Sequence, residues 1–134
     1  MRAEIYNKKK KKKVVMKMVL AELEQKLQHC DSCPLGTTRK HMVFGKGSLS
    51  ATIMFIGEGP GADEDAQGIP FVGRAGQLLD KIVAAAELPW DDIYVCNVVK
   101  CRPPGNRLPL PNEVEACKPF LREQVRVIHP KIIV

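Results

Sequence analysis

Four of the five cysteines in this chain are spaced in a way that suits metal ligation. Cys30 and Cys33 form a Cys-x-x-Cys pair, and Cys101 and Cys117 lie on either side of a proline-rich segment. A two-residue spacer lets both thiolates turn toward one centre, and a loop followed by a helix can bring Cys117 back beside Cys101. Close cysteine pairs in a reducing compartment indicate metal binding rather than disulfides. We therefore take these four cysteines as candidate metal ligands.

The spacing of the cysteines leaves the kind of centre open. Four thiolates without a histidine at ligand spacing suit zinc or an iron–sulfur cluster, and a pocket without metal stays a third alternative. A thioredoxin-like redox pair is disfavoured, because Cys30 follows a predicted helix instead of lying at a strand-to-helix turn. Cys96 lies inside a predicted strand, where we expect it to be a small buried hydrophobic residue.

A glycine-rich segment, GEGPGA at residues 57–62, formally matches the dinucleotide-binding pattern that follows a strand. We reject a nucleotide cofactor, because Pro60 disrupts the turn and three acidic residues follow at positions 63–65, where a pyrophosphate would lie. We also expect no helix to open at Ala62. The segment is therefore either a surface loop or part of another kind of ligand site.

Two side chains favour the ligand site. Phe71 is a large aromatic residue in an otherwise polar and glycine-rich stretch, and Asn97 lies near the end of an apolar predicted strand. Ligands of open parallel sheets bind beyond the carboxyl ends of the strands, where both residues are expected. A buried carboxamide must be hydrogen-bonded, so Asn97 either has a structural role or pairs with the edge of a base.

The elements that would position these residues alternate between helix and strand. Residues 16–28 predict an amphipathic helix, residues 51–56 and 93–99 predict buried strands, and residues 131–134 begin a third strand. Pro111 suits the first turn of a helix that we expect Pro119 to kink or restart and His129-Pro130 to end. The helix between the first two strands is expected to bury one face, made of Ala75, Leu78, Leu79, Ile82, Val83 and Ala86.

This alternation predicts an α/β fold with three layers, in which helices cover both faces of a central parallel sheet. Three strands form a small sheet, so we expect the C-terminal part of a larger domain to be missing. Residues 1–15 are predicted to be a disordered, lysine-rich leader, and residues 16–134 the N-terminal portion of a single domain.

The chain has 134 residues, of which 45% are hydrophobic and 27% charged, as in ordinary globular domains. The net charge of +6 equals the charge of the lysine run at residues 8–13, so the remainder is neutral and the charge is weak evidence for a nucleic-acid partner. No apolar run approaches the length of a membrane span, and the N-terminus lacks the pattern of a signal peptide. We therefore expect a cytoplasmic monomer that does not contact membranes.

Taken together, several segments resemble the family 4 uracil-DNA glycosylases, the iron–sulfur branch of the uracil glycosylase superfamily. The resemblance runs from about Leu23 to Val134. It depends on CDSCPL at residues 30–35, GEGPG at 57–61, GIPFVGRAGQLL at 68–79 and NVVKCRPP at 97–104, which occur in the family's order.

The resemblance implies that this chain comes from an enzyme of base excision repair, which hydrolyses the N-glycosidic bond of uracil in DNA. It implies a 4Fe–4S cluster on Cys30, Cys33, Cys101 and Cys117. The first motif, which contains Gly57, Glu58, Gly59 and Gly61, would line the uracil pocket and help to place the attacking water. Phe71 would stack on the flipped uracil, Asn97 would read its edge, and Glu64 would crowd its 5-position and so exclude thymine.

Two departures from the family pattern affect the expected chemistry. Gly59 stands where the better-known branch has a water-activating aspartate, so no general base is named there. The later His-Pro motif of the family is absent, since His129-Pro130 precedes the third strand. An alternative therefore stays open, a non-catalytic iron–sulfur or zinc module that grips DNA through basic residues near the cysteines: Lys100, Arg102, Arg107, Lys118 and Arg122.

Overall fold

The computed structural model describes residues 2–134. The helices are α1 (Arg2–Leu27), α2 (Leu35–Thr38), α3 (Ala62–Gln67), α4 (Arg74–Ala85) and α5 (Pro111–Ile128). The strands are β1 (Lys46–Gly47), β2 (Ile53–Gly57), β3 (Ile93–Asn97) and β4 (Ile132–Ile133). Short 3₁₀ turns at Trp90–Asp92 and Pro104–Asn106 precede β3 and interrupt the proline-rich loop.

The four strands form one sheet in the order β1-β3-β2-β4. Strand β2 pairs in parallel with both β3 and β4, as the sequence predicted. The two-residue strand β1 is antiparallel to β3, so the sheet is mixed rather than wholly parallel. This edge strand is too short to show an alternating pattern, so no periodicity in the sequence marks it.

Residues of the central strands alternate between the two faces of the sheet. Met54, Tyr94 and Cys96 pack with residues of α1 and α5, whereas Phe55 and Val95 pack with residues of α4. Helices therefore cover both faces, and the predicted three-layer α/β architecture is confirmed.

Helix α1 begins earlier than expected. The sequence predicted a start at residue 16 after a disordered leader, but the helix extends from Arg2, with residues 2–15 all exposed. No glycine or proline interrupts residues 2–27, and lysine is a good helix former, so the lysine run continues the helix without help from packing. Met1 lies outside the described residues, and a domain boundary at residue 15 stays a prediction.

Three other helices differ from expectation. Helix α4 buries Gly76, Leu79 and Val83, while Leu78 and Ile82 are 59% and 48% exposed, so the predicted apolar face was too wide. A short helix, α3, opens at Ala62, where none was expected.

Helix α5 contains Pro119 and continues through it, so the expected restart was wrong, while a kink at Pro119 stays a prediction. It ends as predicted at His129, whose backbone is left-handed. No helix formed by residues 2–134 is both long enough and apolar enough to cross a membrane.

Candidate active site and cysteine pocket

The four candidate ligand cysteines line one pocket, which we call the cysteine pocket. Cys30 follows α1, Cys33 precedes α2, Cys101 lies in the loop after β3, and Cys117 lies in α5. The other lining residues carry no imidazole or carboxylate: Leu27, Ser32, Leu35, Gly36, Val99, Lys100, Ala116 and Phe120. Three segments that are distant in sequence, one of them carrying both Cys30 and Cys33, therefore bring sulfur donors to a mainly apolar pocket.

Two hydrogen bonds reach the sulfurs of this pocket from basic residues. Arg39 donates from Nη1 to Cys101 Sγ at 2.9 Å, and the Lys100 backbone N–H donates to Cys117 Sγ at 3.3 Å. Burial raises the pKa of the Cys117 thiol to about 11 and also raises the pKa of Cys101, although both hydrogen bonds oppose the rise. A metal centre must therefore displace protons from these thiols when it binds.

The donor set fits an iron–sulfur cluster. Within residues 2–134, no three histidine, cysteine or acidic side chains are grouped so that they could hold a metal ion as they stand. The four thiols nevertheless line one pocket. An all-cysteine pocket with hydrogen-bond donors to its sulfurs is the environment that protein-bound clusters have.

Cys96 lies apart from this pocket. It is fully buried in β3 and packs with the core between the sheet and helices α1 and α5. Its expected role as a small buried hydrophobic residue is confirmed.

The second candidate site lies at the carboxyl ends of β2 and β3, where Gly57 and Asn97 are direct partners in the parallel ladder. A Cβ built on Gly57 would collide with Asn97 Oδ1 and lie 2.9 Å from Phe71 Cζ. The Asn97 and Phe71 side chains therefore meet over the bare backbone of Gly57. We call this place the Gly57 slot.

Phe71 is held in this position by an unusual backbone. Its φ of 56° is left-handed, a conformation that a bulky residue rarely adopts without support from its surroundings. Gly76 in the first turns of α4 provides this support, since a Cβ there would overlap the Phe71 carbonyl group. The close approach of the Phe71 backbone to α4 thus requires glycine at position 76.

Asn97 is 4% exposed, and no hydrogen bond of its carboxamide is found within residues 2–134; since no buried side-chain nitrogen or oxygen there lacks a partner, the amide atoms reach solvent. Its backbone oxygen, by contrast, accepts a hydrogen bond from Lys100 Nζ at 2.7 Å. A nearly buried carboxamide without a protein partner is uncommon, because such groups are normally paired. This geometry favours a side chain that is free to bind a ligand over a structural one.

The Glu64 carboxylate binds backbone groups of the protein, whereas we expected it to face the 5-position of uracil. Its carboxylate accepts hydrogen bonds from the backbone N–H groups of Gly61 at 3.0 Å, Val72 at 3.0 Å and Gly73 at 2.5 Å. It therefore ties the glycine-rich segment to the loop that carries Phe71. A role in excluding thymine stays a prediction.

The same contacts bear on the rejected nucleotide site. The statement that no helix opens at Ala62 was wrong, since α3 begins there. The backbone amide of Gly61 is nevertheless already bound by the Glu64 carboxylate, so this helix start is not free to receive a phosphate.

Glu58, Gly59 and Gly61 line a separate hollow together with the proline-rich loop, including Pro103 and Arg107. Glu58 is exposed. A Cβ on Gly59 would lie 2.8 Å from Val99 Cγ2, so this position also keeps the first motif close to the chain that follows β3.

The sequence analysis placed one basic residue wrongly and did not single out three further polar residues. Lys100 was grouped with surface residues that contact phosphates, but it is fully buried and cannot reach DNA. Arg39, Glu113 and Gln124 were not singled out, although each holds a loop or a polar group near a candidate site. No spacing pattern marks Arg39 or Gln124, since Cys101 and Lys100, their partners, lie far away in the sequence.

The comparisons with known proteins agree with this geometry. A profile of the uracil DNA glycosylase superfamily matches residues 44–134. The chain is 47% identical over 112 residues to a type-4 uracil-DNA glycosylase of Thermotoga maritima, covering 84% of the chain and 58% of that relative. It is 45% identical over 117 residues to one of Pyrobaculum aerophilum, covering 87% and 60%. The chain thus spans about three fifths of the length of these relatives. On the profile match, it belongs to the uracil DNA glycosylase superfamily, and within it the chain is similar to the type-4 relatives.

Proposed function

We propose that this chain carries the cluster-binding and base-binding parts of a DNA repair enzyme that hydrolyses the N-glycosidic bond of uracil in DNA. The observation that carries the proposal is the Gly57 slot, where the unpaired Asn97 carboxamide and the Phe71 ring meet beyond the ends of two parallel strands. The names of the type-4 relatives support the same reaction and substrate.

The slot suits a base that has been turned out of the DNA stack. Phe71 offers an aromatic surface for stacking, and Asn97 offers both a donor and an acceptor. Uracil presents an N3–H donor and an O4 acceptor, so a single carboxamide can satisfy both groups. Cytosine has the reverse pattern and would leave buried polar groups unpaired, at a cost of about 1–3 kcal/mol each.

The first motif would bring backbone groups close to the base, without a carboxylate at position 59. Gly59 provides no carboxylate, so we propose that hydrolysis depends on stabilising the departing uracil anion and the cationic sugar. Glu58 and the glycines at 57, 59 and 61 would line the pocket and help to position the attacking water. Glu64 would keep this segment and the Phe71 loop together, and in addition limit space at the 5-position of the base.

We propose that the cysteine pocket holds a 4Fe–4S cluster on Cys30, Cys33, Cys101 and Cys117. A zinc ion has Zn–S distances of about 2.3 Å and draws its ligands to a point, whereas a cluster lies between thiolates that are further apart. The four cysteines of one pocket provide the ligands, and the resemblance to the iron–sulfur branch favours a cluster over zinc. When bound, the cluster would join three chain segments beside the end of β3.

A non-catalytic DNA-binding module is the alternative. The buried position of Lys100 and the ion pair of Arg107 with Glu113 at 2.7 Å leave fewer free cations near the cysteines than the sequence suggested. DNA as a partner, the cytoplasm as the compartment and a monomeric state are parts of the main proposal.

The test uses the 134-residue chain purified without air. Iron and sulfide are measured, and fluorescence anisotropy compares a single-stranded oligonucleotide containing one deoxyuridine with the same oligonucleotide containing deoxycytidine. We expect bound iron and tighter binding of the uracil oligonucleotide. Asn97→Ala should abolish this preference, whereas Asn7→Ala, on the exposed part of α1, should leave it unchanged.

Hydrolysis is tested with the chain extended by the segment of the Thermotoga maritima relative that lies beyond the match. We expect release of free uracil from the deoxyuridine oligonucleotide. DNA binding with a steep salt dependence but without preference for uracil would support the non-catalytic module instead. A folded chain with stoichiometric zinc and no iron would contradict the proposed cofactor.

A further inference from the structure

Lys100 is a lysine in the core of the protein. It is 0% exposed, and its Nζ donates to Asn97 O at 2.7 Å and to Gln124 Oε1 at 2.6 Å, while lying 6.0 Å from the centroid of the Phe44 ring. A buried ammonium is costly unless it is well paired. An apolar side chain of the same size would fill this space with a smaller desolvation penalty, so packing alone does not explain a lysine here.

Lys100 contacts both candidate sites, one through its backbone and the other through its side chain. Its backbone N–H donates to Cys117 Sγ at 3.3 Å, and the residue lines the cysteine pocket next to Cys101. Its side chain turns back three residues to the carbonyl group of Asn97, at the end of β3. One residue thus contacts a sulfur of the first site and the backbone that carries the reading group of the second.

Gln124 fixes the Lys100 side chain from the opposite direction. It is fully buried, and its Nε2 donates to Phe44 O at 2.9 Å and to Tyr94 Oη at 3.1 Å, while its Oε1 accepts from Lys100. Every polar atom of the Gln124 amide therefore has a partner. Because Gln124 and Cys117 both lie in α5, about two turns apart, the placement of this helix bears on both ends of Lys100.

We propose that Lys100 is the positioning residue of Asn97. It holds the Asn97 peptide group at the strand end, so that the carboxamide is directed into the Gly57 slot before uracil arrives. The inference rests on the proposed function, since it assumes that Asn97 reads the base. Preorganisation of this kind matters because small misplacements of a binding group weaken recognition strongly.

The test measures the ratio of affinities for the deoxyuridine and deoxycytidine oligonucleotides with the 134-residue chain. Lys100→Met should lower this ratio about tenfold and leave the iron content and the affinity for the deoxycytidine oligonucleotide unchanged. Lys100→Arg, which keeps N–H donors for both oxygens, should retain most of the preference. If Lys100→Met does not fold, Lys100→Gln takes its place.

A double-mutant cycle with Asn97→Ala separates positioning from general stability. If Lys100 acts through Asn97, the double variant discriminates no worse than Asn97→Ala alone, because the same interaction is already lost. A Lys100→Met chain that keeps the wild-type preference for uracil, or a cycle whose effects add, would overturn the inference. A wild-type chain that shows no preference for uracil would overturn the proposed base pocket as well.

Discussion

The cysteine pocket and the Gly57 slot are neighbouring sites built in opposite ways. The slot is fixed mainly by the backbone: Gly57 and Asn97 are partners in the sheet, and the Val98 N–H donates to Gly57 O at 2.8 Å. The cysteine pocket is lined by side chains from three segments, none of which belongs to the sheet. The slot thus depends on strand register, whereas the pocket depends on how loops and helices are held against one another.

This difference concerns how far the shape of each site would depend on a bound cofactor. Strand pairing keeps the slot in shape by itself, with additional support from Glu64 and Gly76. The cysteine segments have few such bonds between them, apart from the three that Arg39 donates to Leu27 O, Gln28 O and Cys101 Sγ. A cluster bound to all four thiolates would supply the missing links, in the way that metals organise other small sites.

The largest effect should come from removing a ligand cysteine. Cys101→Ala is expected to lower the iron bound per chain by more than about tenfold, because three thiolates hold a cluster poorly. Iron analysis and visible absorbance measure the loss. Cys96→Ala is the matched control, since Cys96 is buried outside the pocket and its variant should keep its iron. Equal losses in both variants would contradict the ligand assignment.

The next largest effect should be confined to the slot. Gly57→Ala adds a methyl group that collides with Asn97 and Phe71, so the preference for the uracil oligonucleotide should fall by about a hundredfold while the iron content stays the same. Asn7→Ala, on the exposed part of α1, serves as the control. If Gly57→Ala removed iron as well, the two sites would not be separable as we describe.

A smaller effect is expected from replacing Arg39, which donates a hydrogen bond to a sulfur of the cysteine pocket. Arg39→Met removes a charged donor to Cys101 Sγ and frees two carbonyl groups at the end of α1. We expect iron to be lost to a chelator about tenfold faster, and the cluster to be harder to reduce because a nearby positive charge is gone. Arg126→Met, which removes an exposed ion pair with Glu123, should change neither quantity.

The smallest effect concerns the proline-rich loop between the sites. Glu113 accepts hydrogen bonds from Arg107 and from the Leu110 N–H, and the Arg107 interaction lowers the pKa of its carboxyl below the usual 4.5. A lowered pKa contributes stability above the unfolded value that is lost as the pH falls. The free energy of unfolding of the metal-free chain should therefore drop below pH 4.5, and less so in Glu113→Gln. Glu115→Gln, at an exposed residue, should behave like the wild type.

Much of the Gly57 slot could be predicted from the sequence, because strand ends follow from local patterns. Apolar runs marked β2 and β3, and the rule for parallel sheets placed the residues after them at one edge. The left-handed backbone of Phe71 could not be predicted, since it depends on the close approach of Gly76. Helix α3 was missed because its six residues are too few to show a period.

By itself, the sequence determined the α/β layering, the two central strands and the family to which the chain belongs, because these depend on periodicity and on contiguous motifs. Only the tertiary structure decided that Lys100 is an internal tie rather than a phosphate contact, and that Arg39 and Gln124 bear on the sites. These roles depend on contacts between residues up to 80 positions apart. Such contacts arise from how the helices pack on the sheet, and no local pattern in the chain records them.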